Sequence, residues 1–209
     1  MRETTDILIS GGGVAGLTAA AAFGAAGFRV ICVDPMPPVT QEADAGADLR
    51  TTAFLQPSRR VLEAAGLWDR FAPHAAALRI MRIVDAGGEM PEPRIVKDFD
   101  ASEIGDAPFG WNLPNWLLRR ETVARLAELP AVDFRPGTAT KTVLTRSNEA
   151  IVTLSDGAQV PARRVVAPDV RPTPARAALG RRVPGAPTAA KPATIRCRPP
   201  LPRRTRSSA

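Results

Sequence analysis

The 209-residue chain has no tyrosine, one histidine and two cysteines, and aromatic residues make up only 5% of it. Without tyrosine there is no Tyr-x-x-x-Lys proton relay, and a lone His74 rules out any acid–base pair built from two histidines. Cys32 lies in an apolar run and Cys197 in a basic one, which is no basis for a disulfide framework. No apolar stretch approaches the ~18 residues needed to cross a bilayer. Glu3 and Asp6 precede the first apolar run, where a secretory leader would carry cations. The expected location is the cytoplasm, with peripheral attachment to the inner membrane left open.

Acidic residues are also missing from one region. Residues 181–209 hold seven arginines and Lys191 but no Asp or Glu, so the formal charge of +7 resides there. Residues 1–180 carry 20 basic groups against 21 acidic ones and are close to neutral. Six prolines interrupt residues 181–209, and large apolar side chains are scarce, so ordering that segment would not be offset by burial. It is expected to be a disordered Arg/Pro-rich tail. No aromatics interleave with its arginines, so nonspecific anion binding is the most it offers, and no specific nucleic-acid partner is expected.

What remains is patterned. Ile7–Ile9 reads as a buried strand, Val14–Ala26 as a helix of strong formers stopped by Gly27, and Phe28–Val33 as a second apolar strand, the spacing of a parallel βαβ crossover. "LQPSRRVLEAAGLWDRF" gives a helix presenting Leu55, Val61, Leu62 and Ala65, ended by Gly66. "LRIMRIVDAGGEM" alternates Ile80, Ile83 and Val84 with Arg79 and Arg82, a half-exposed strand opening a mixed sheet. "NLPNWLLRRETVARLAEL" is an amphipathic helix. Short strands follow in "VDFRPGT", "KTVLTRS" and "AIVTLSDGAQV", the last with a Ser-Asp-Gly hairpin turn, and "RRVVAP" can rejoin the parallel sheet.

The spacing Gly11-x-Gly13-x-x-Gly16 falls where a strand passes into a helix, the context in which it carries meaning. Gly11 permits a tight turn, Gly13 lets a pyrophosphate approach the backbone, and Gly16 lets helix and strand pack closely. Amides from Val14 through Ala15 to Gly16, at the positive end of the helix dipole, would face phosphate oxygens. The pattern continues through Ala20, Phe23, Gly27 and Val30 to Asp34, whose carboxylate is placed to accept a ribose diol. A terminal acid repels a 2′-phosphate and so disfavours NADP, but it leaves NAD and FAD open.

That long pattern resembles the N-terminal signature of two-dinucleotide-binding flavoproteins. "ADLRTTAFLQPSRRVLEAAGLWDRFAPHAAALRIMRIVDAGGE" and "FGWNLPNWLLRRETVARLAEL" resemble successive blocks of the ubiquinone-biosynthesis hydroxylases, within the FAD-dependent aromatic-ring hydroxylases that include para-hydroxybenzoate hydroxylase. The resemblance runs from about Asp6 to Gly180. It implies a Rossmann-like α/β FAD-binding domain over residues 1–180, with part of a substrate-side sheet at about 78–112 and the tail at 181–209. Gly11, Gly13, Ala15, Gly16 and Asp34 would then hold the AMP half of FAD. Arg50 in "DLRTT" would contact the flavin side, and Arg119 in "NWLLRR" the pyrophosphate, which a guanidinium can meet bidentately. The implied activity is a monooxygenase of ubiquinone biosynthesis that hydroxylates a hydrophobic polyprenyl-phenol or quinol ring with NAD(P)H and O2. Contact with the membrane or with other proteins of that pathway is part of the same expectation. No catalytic side chain is assigned, because in this family the flavin carries the oxygen chemistry. His74 is expected at the surface, and Trp68, Trp111 and Trp116 are expected to serve packing.

The chain departs from the family at Asp169-Val170-Arg171, where relatives have Asp-Gly-Arg, and it lacks the later Gly-Asp segment that grips the ribityl chain. The Arg, Pro and Ala bias of the tail is what a GC-rich gene gives out of frame, so a C-terminally truncated or frameshifted member, impaired in activity, is expected. The alternatives are a simple NAD-dependent Rossmann oxidoreductase, or an inactive fragment that binds anions through its tail.

Overall fold

An unbroken apolar triplet such as Ile7-Leu8-Ile9 suits a strand covered on both faces. All three residues are buried in β1 (Thr5–Ser10). The computed structural model describes residues 4–87, 92–168 and 193–196. It divides into two compact units, Met1–Pro38 with Thr122–Ala209, and Val39–Glu121.

In the first unit, α1 (Val14–Ala25) turns Gly16, Leu17, Ala20, Ala21 and Gly24 inward. The small side chains set how closely it lies: a Cβ on Gly24 would stand 2.2 Å from Cγ2 of Val132. The helix ends in a Schellman motif. The Gly27 amide donates to the Gly24 carbonyl at 3.0 Å and the Phe28 amide to that of Phe23 at 3.1 Å, with Gly27 at φ +84. The Phe28 ring then meets Phe23 edge-on, 6.1 Å between centroids. Service in this cap takes Phe28 out of the next strand, and β2 covers Val30–Asp34 instead of the expected Phe28–Val33.

The second unit begins with β3 (Thr51–Leu55), a strand absent from the sequence reading. Helix α2 (Gln56–Ala64) follows directly and buries Leu62, while Leu55 and Val61, expected on its apolar face, are 56% and 51% exposed. The short α3 (Trp68–Phe71) buries both its end residues. After it come β4 (Ala76–Leu78), the antiparallel ribbon of β5 (Ile80–Gly87) and β6 (Glu92–Asp100), and β7 (Gly110–Pro114). β7 is the central strand of a three-stranded antiparallel sheet, with β3 and β4 at its sides. Ile80, Ile83 and Ile95 of the ribbon are all exposed. Alternation with arginine therefore does not separate a buried face from a wet one there.

Helix α4 (Asn115–Ala127) starts three residues later than its amphipathic pattern indicates. Pro114 holds Leu113 in extended backbone, and Asn112 to Pro114 pair with Thr51 to Ala53 before the helix begins. The two ends of this helix fall in different units, the boundary lying after Glu121.

The chain then completes the first unit with β8 (Val132–Pro136), β9 (Thr140–Thr145), β10 (Ala150–Leu154), β11 (Gln159–Ala167) and β12 (Ala193–Arg196). The sheet order is β8-β2-β1-β11-β10-β9, with β12 also paired to β11. Strands β8, β2, β1 and β11 run parallel, and β10 and β9 return antiparallel. "RRVVAP" thus does rejoin the parallel sheet, giving a Rossmann-like α/β unit. Leu8, Val33, Val152, Leu154 and Val165 form its buried core. Within the stretch read as a disordered tail, Ala193–Arg196 pairs antiparallel with Arg164–Ala167; the remainder of 181–209 lies outside the described residues, as does Asp169-Val170-Arg171.

Gly24→Ala provides a test of the helix-to-sheet fit. Alanine gains about 1 kcal/mol in helix propensity, but the new methyl collides with the stiff Val132 side chain. A net loss of about 1–3 kcal/mol is expected, read from the urea midpoint. An unchanged or raised midpoint would refute the close contact.

Candidate functional site

The turn between β1 and α1 is shaped by what its glycines lack. Gly11, at φ +122, adopts a backbone that L side chains avoid, and its amide donates to the Val33 carbonyl at 2.8 Å. A Cβ on Gly16 would fall 1.8 Å from the Gly11 carbonyl oxygen, so the first turn of α1 rests directly on the loop. Gly13 differs from both. Its backbone (φ −69, ψ 177) suits any residue, yet a Cβ there would meet nothing within 4 Å. The space beside Gly13 is open.

Beneath that space is the start of α1. Its first backbone bond runs from the Leu17 amide to the Gly13 carbonyl, 2.9 Å, so the Val14, Ala15 and Gly16 amides have no helical acceptor. No side chain caps this end and no acid sits in its first turn. No side chain of the helix itself therefore offsets the positive end of its dipole.

Asp34 closes the arrangement. Its Oδ2 accepts the Gly12 amide at 2.5 Å and its Oδ1 accepts the Met36 amide at 2.8 Å. Two main-chain donors thus fix the carboxylate at the end of β2, leaving further lone pairs to accept from a ligand hydroxyl. Gly12 takes part in this arrangement although the spacing pattern passes over it. A Cβ there would lie 2.8 Å from that of Asp34, and the only sequence signal was three glycines in a row. Cys32, two residues back, is buried, and burial together with the Asp34 charge pushes its thiol up to about 12. It remains a protonated apolar filler and not a nucleophile.

The other two predicted contacts, Arg50 and Arg119, belong to the second unit. Both are drawn to one carboxylate that the sequence reading overlooked. Arg50 donates from Nε to Asp48 Oδ1 at 2.8 Å and from Nη2 to Oδ2 at 2.9 Å, and Nη2 of Arg119 stands 3.7 Å from the same Oδ2. Asn115 donates to Asp48 at 3.0 Å and accepts the Thr52 hydroxyl at 2.6 Å. Hydrogen bonds from the Arg50 side chain, and then from Asn115 and the Arg50 amide, hold the Asp48 carboxyl below the usual carboxylate range against the opposing effect of burial.

The tryptophans pack as expected. Trp68 and Trp111 meet edge-on at 5.0 Å with the Arg59 guanidinium about equally near both rings, and Trp116 carries Arg120 at 5.2 Å. His74 is exposed at the end of a single 3-10 turn. Among the described residues, no helix is long and apolar enough to cross a membrane.

A bare helix start, an open glycine and an acid gripped by main-chain amides at the end of the second strand define a dinucleotide-binding α/β unit. A family model described as FAD binding domain matches residues 4–204. The chain belongs to that family, and FAD is its dinucleotide. It is 35% identical over 179 residues to ubiquinone hydroxylase UbiL of Rhodospirillum rubrum, covering 85% of this chain and 40% of that one. It is 28% identical over 181 residues to ubiquinone hydroxylase UbiM of Neisseria meningitidis, covering 84% and 38%. The crystal structure of p-nitrophenol 4-monooxygenase PnpA from Pseudomonas putida DLL-E4 shares the fold at TM-score 0.68 and 22% identity, over 86% of this chain and 44% of that one. These matches agree with the resemblance read from the "DLRTT" and "NWLLRR" blocks. The chain spans about 40% of the length of these two ubiquinone hydroxylases.

The Asp48 cluster predicts a pH dependence. A carboxylate whose folded pKa is depressed stabilises the fold above its ordinary value of about 3.9 and loses that contribution as pH falls. The exposed Arg50 partner keeps that contribution small, so Asp48→Asn should be only slightly less stable than wild type at pH 7, with the two urea midpoints converging below about pH 4. A constant separation from pH 7 to pH 3 would contradict the assignment.

Proposed function

We propose that this chain is the FAD-binding portion of a flavin-dependent monooxygenase of ubiquinone biosynthesis. The observation that carries the reading is the open space at Gly13 above three unpaired amides, with Asp34 fixed beside the turn. A diphosphate fits there because no Cβ intrudes, and the dipole end favours its charge. A 2′-phosphate would instead meet the carboxylate of Asp34.

In this reading Gly11 and Gly16 shape the turn, and Val14, Ala15 and Gly16 donate to phosphate oxygens as it passes Gly13. Asp34 accepts the ribose hydroxyls of the AMP half. Arg50 and Arg119 contact the cofactor farther along, as cations suited to an anionic ligand. When bound, FAD supplies the redox chemistry with O2, for which no side chain of this chain is a substitute. The reaction assigned to the whole enzyme is hydroxylation of a polyprenyl-phenol or quinol ring. One oxygen atom enters the ring and the other leaves as water, while NAD(P)H gives up a hydride and solvent a proton. The names of the two ubiquinone hydroxylases support this substrate class. A polyprenyl chain dissolves in the bilayer, so peripheral contact with the membrane, or with other ubiquinone-biosynthesis proteins, accompanies the assignment.

Titration with FAD, followed by flavin fluorescence and visible absorbance, tests the site. Wild type should bind FAD. Gly13→Ala should unfold at the same urea concentration as wild type yet bind FAD at least about tenfold more weakly, because its methyl occupies the phosphate position and touches no protein atom. Equal affinity in Gly13→Ala, or no uptake of FAD by wild type, would overturn the proposal.

A further inference from the structure

Asp48 gathers more polar contacts than stability accounts for. Its carboxylate accepts Nε and Nη2 of Arg50, the Arg50 amide at 3.2 Å and the Asn115 side chain, with Arg119 as an additional ion pair. Asp48 is itself only 12% exposed, whereas the Arg50 side chain it holds is 83% exposed. An ion pair with so exposed a partner contributes little to stability, and the rotamer entropy lost in fixing a long arginine side chain opposes it. The pair is thus poorly explained as a device for holding the fold together.

Its geometry serves the arginines instead. A guanidinium has five N–H groups, and the fork on Asp48 engages Nε and one hydrogen of Nη2, leaving three donors in a fixed plane. Asp48 also offsets the repulsion between two guanidiniums drawn to one point. The three charges sum to +1, so the cluster still favours an anion. The backbone locks the frame: the Asn115 amide donates to the Arg50 carbonyl at 2.9 Å, and the Asn115 side chain links Asp48 to Thr52 at the start of β3.

We propose that Asp48 is a positioning residue that clamps Arg50 and steers Arg119 so that their remaining N–H groups are preorganised for the anionic cofactor. This rests on the reading above that both arginines contact FAD. Asp48 need not touch the ligand. It lowers the entropy lost when Arg50 and Arg119 engage it.

A double-mutant cycle separates this role from a structural one. FAD affinity is measured by fluorescence titration on the full chain for wild type, Asp48→Asn, the Arg50→Ala/Arg119→Ala double variant and the triple variant, each checked by circular dichroism and urea unfolding. Asp48→Asn should weaken FAD binding about tenfold in the wild-type background and less than about twofold where both arginines are absent. Equal weakening in both backgrounds would mean that Asp48 acts only through the fold and would overturn the proposal. So would undiminished affinity in Asp48→Asn while the double variant binds more weakly. If the double variant binds FAD as wild type does, the assignment of the arginines fails and this inference falls with it. Should Asp48→Asn not fold, Asp48→Glu takes its place in the cycle. It keeps the charge but shifts the fork by one methylene, and the same non-additivity is expected at a smaller factor.

Discussion

The nucleotide-binding unit depends on one contact that tolerates no added atom, the seating of Gly16 against the Gly11 carbonyl. With hydrogen at that position, the first turn of α1 lies on the loop and its free amides face the space beside Gly13. A methyl group would lift the helix start away and disperse those donors. The other end of the same helix is bound by a similar limit, Gly24 against Val132 of β8. Two absent side chains, two turns apart, thus fix the distance of α1 from the sheet and the direction of its dipole.

That constraint explains why this part of the molecule was legible in sequence. A backbone that must bend at Gly11 and approach at Gly16 can be written with few residue types, and its main-chain partners lie within about 30 residues. Asp34 was legible because the end of β2 is fixed by the crossover length. Even here the reading missed Gly12, whose amide orients the acid, because a spacing pattern treats that position as a blank.

The second unit was harder to read because its decisive contacts are distant in sequence. Thr51–Leu55 becomes a strand by pairing with Gly110–Pro114, about 60 residues away, and no local periodicity announces it. The start of α4 shifts for the same reason, since Asn112 and Leu113 have helical neighbours in sequence but a strand partner in space. Val61 shows that an apolar residue at helical spacing need not face inward when the helix is only nine residues long and a single leucine anchors it, and Leu55 ends β3 instead of joining the helix. Arg50 and Arg119 could be singled out by resemblance. Their shared dependence on Asp48 could not, because side chains from a loop and a helix converge there.

Cys32 carries a consequence for handling the protein. Burial and the Asp34 charge hold its thiol protonated at neutral pH, and only the ionised form reacts readily with alkylating agents. Position 32 lies in the middle of the parallel sheet, between β1 and β8. Covalent labelling at that sulfur requires the strands around it to separate, which makes its rate a clock for opening of the nucleotide-binding core.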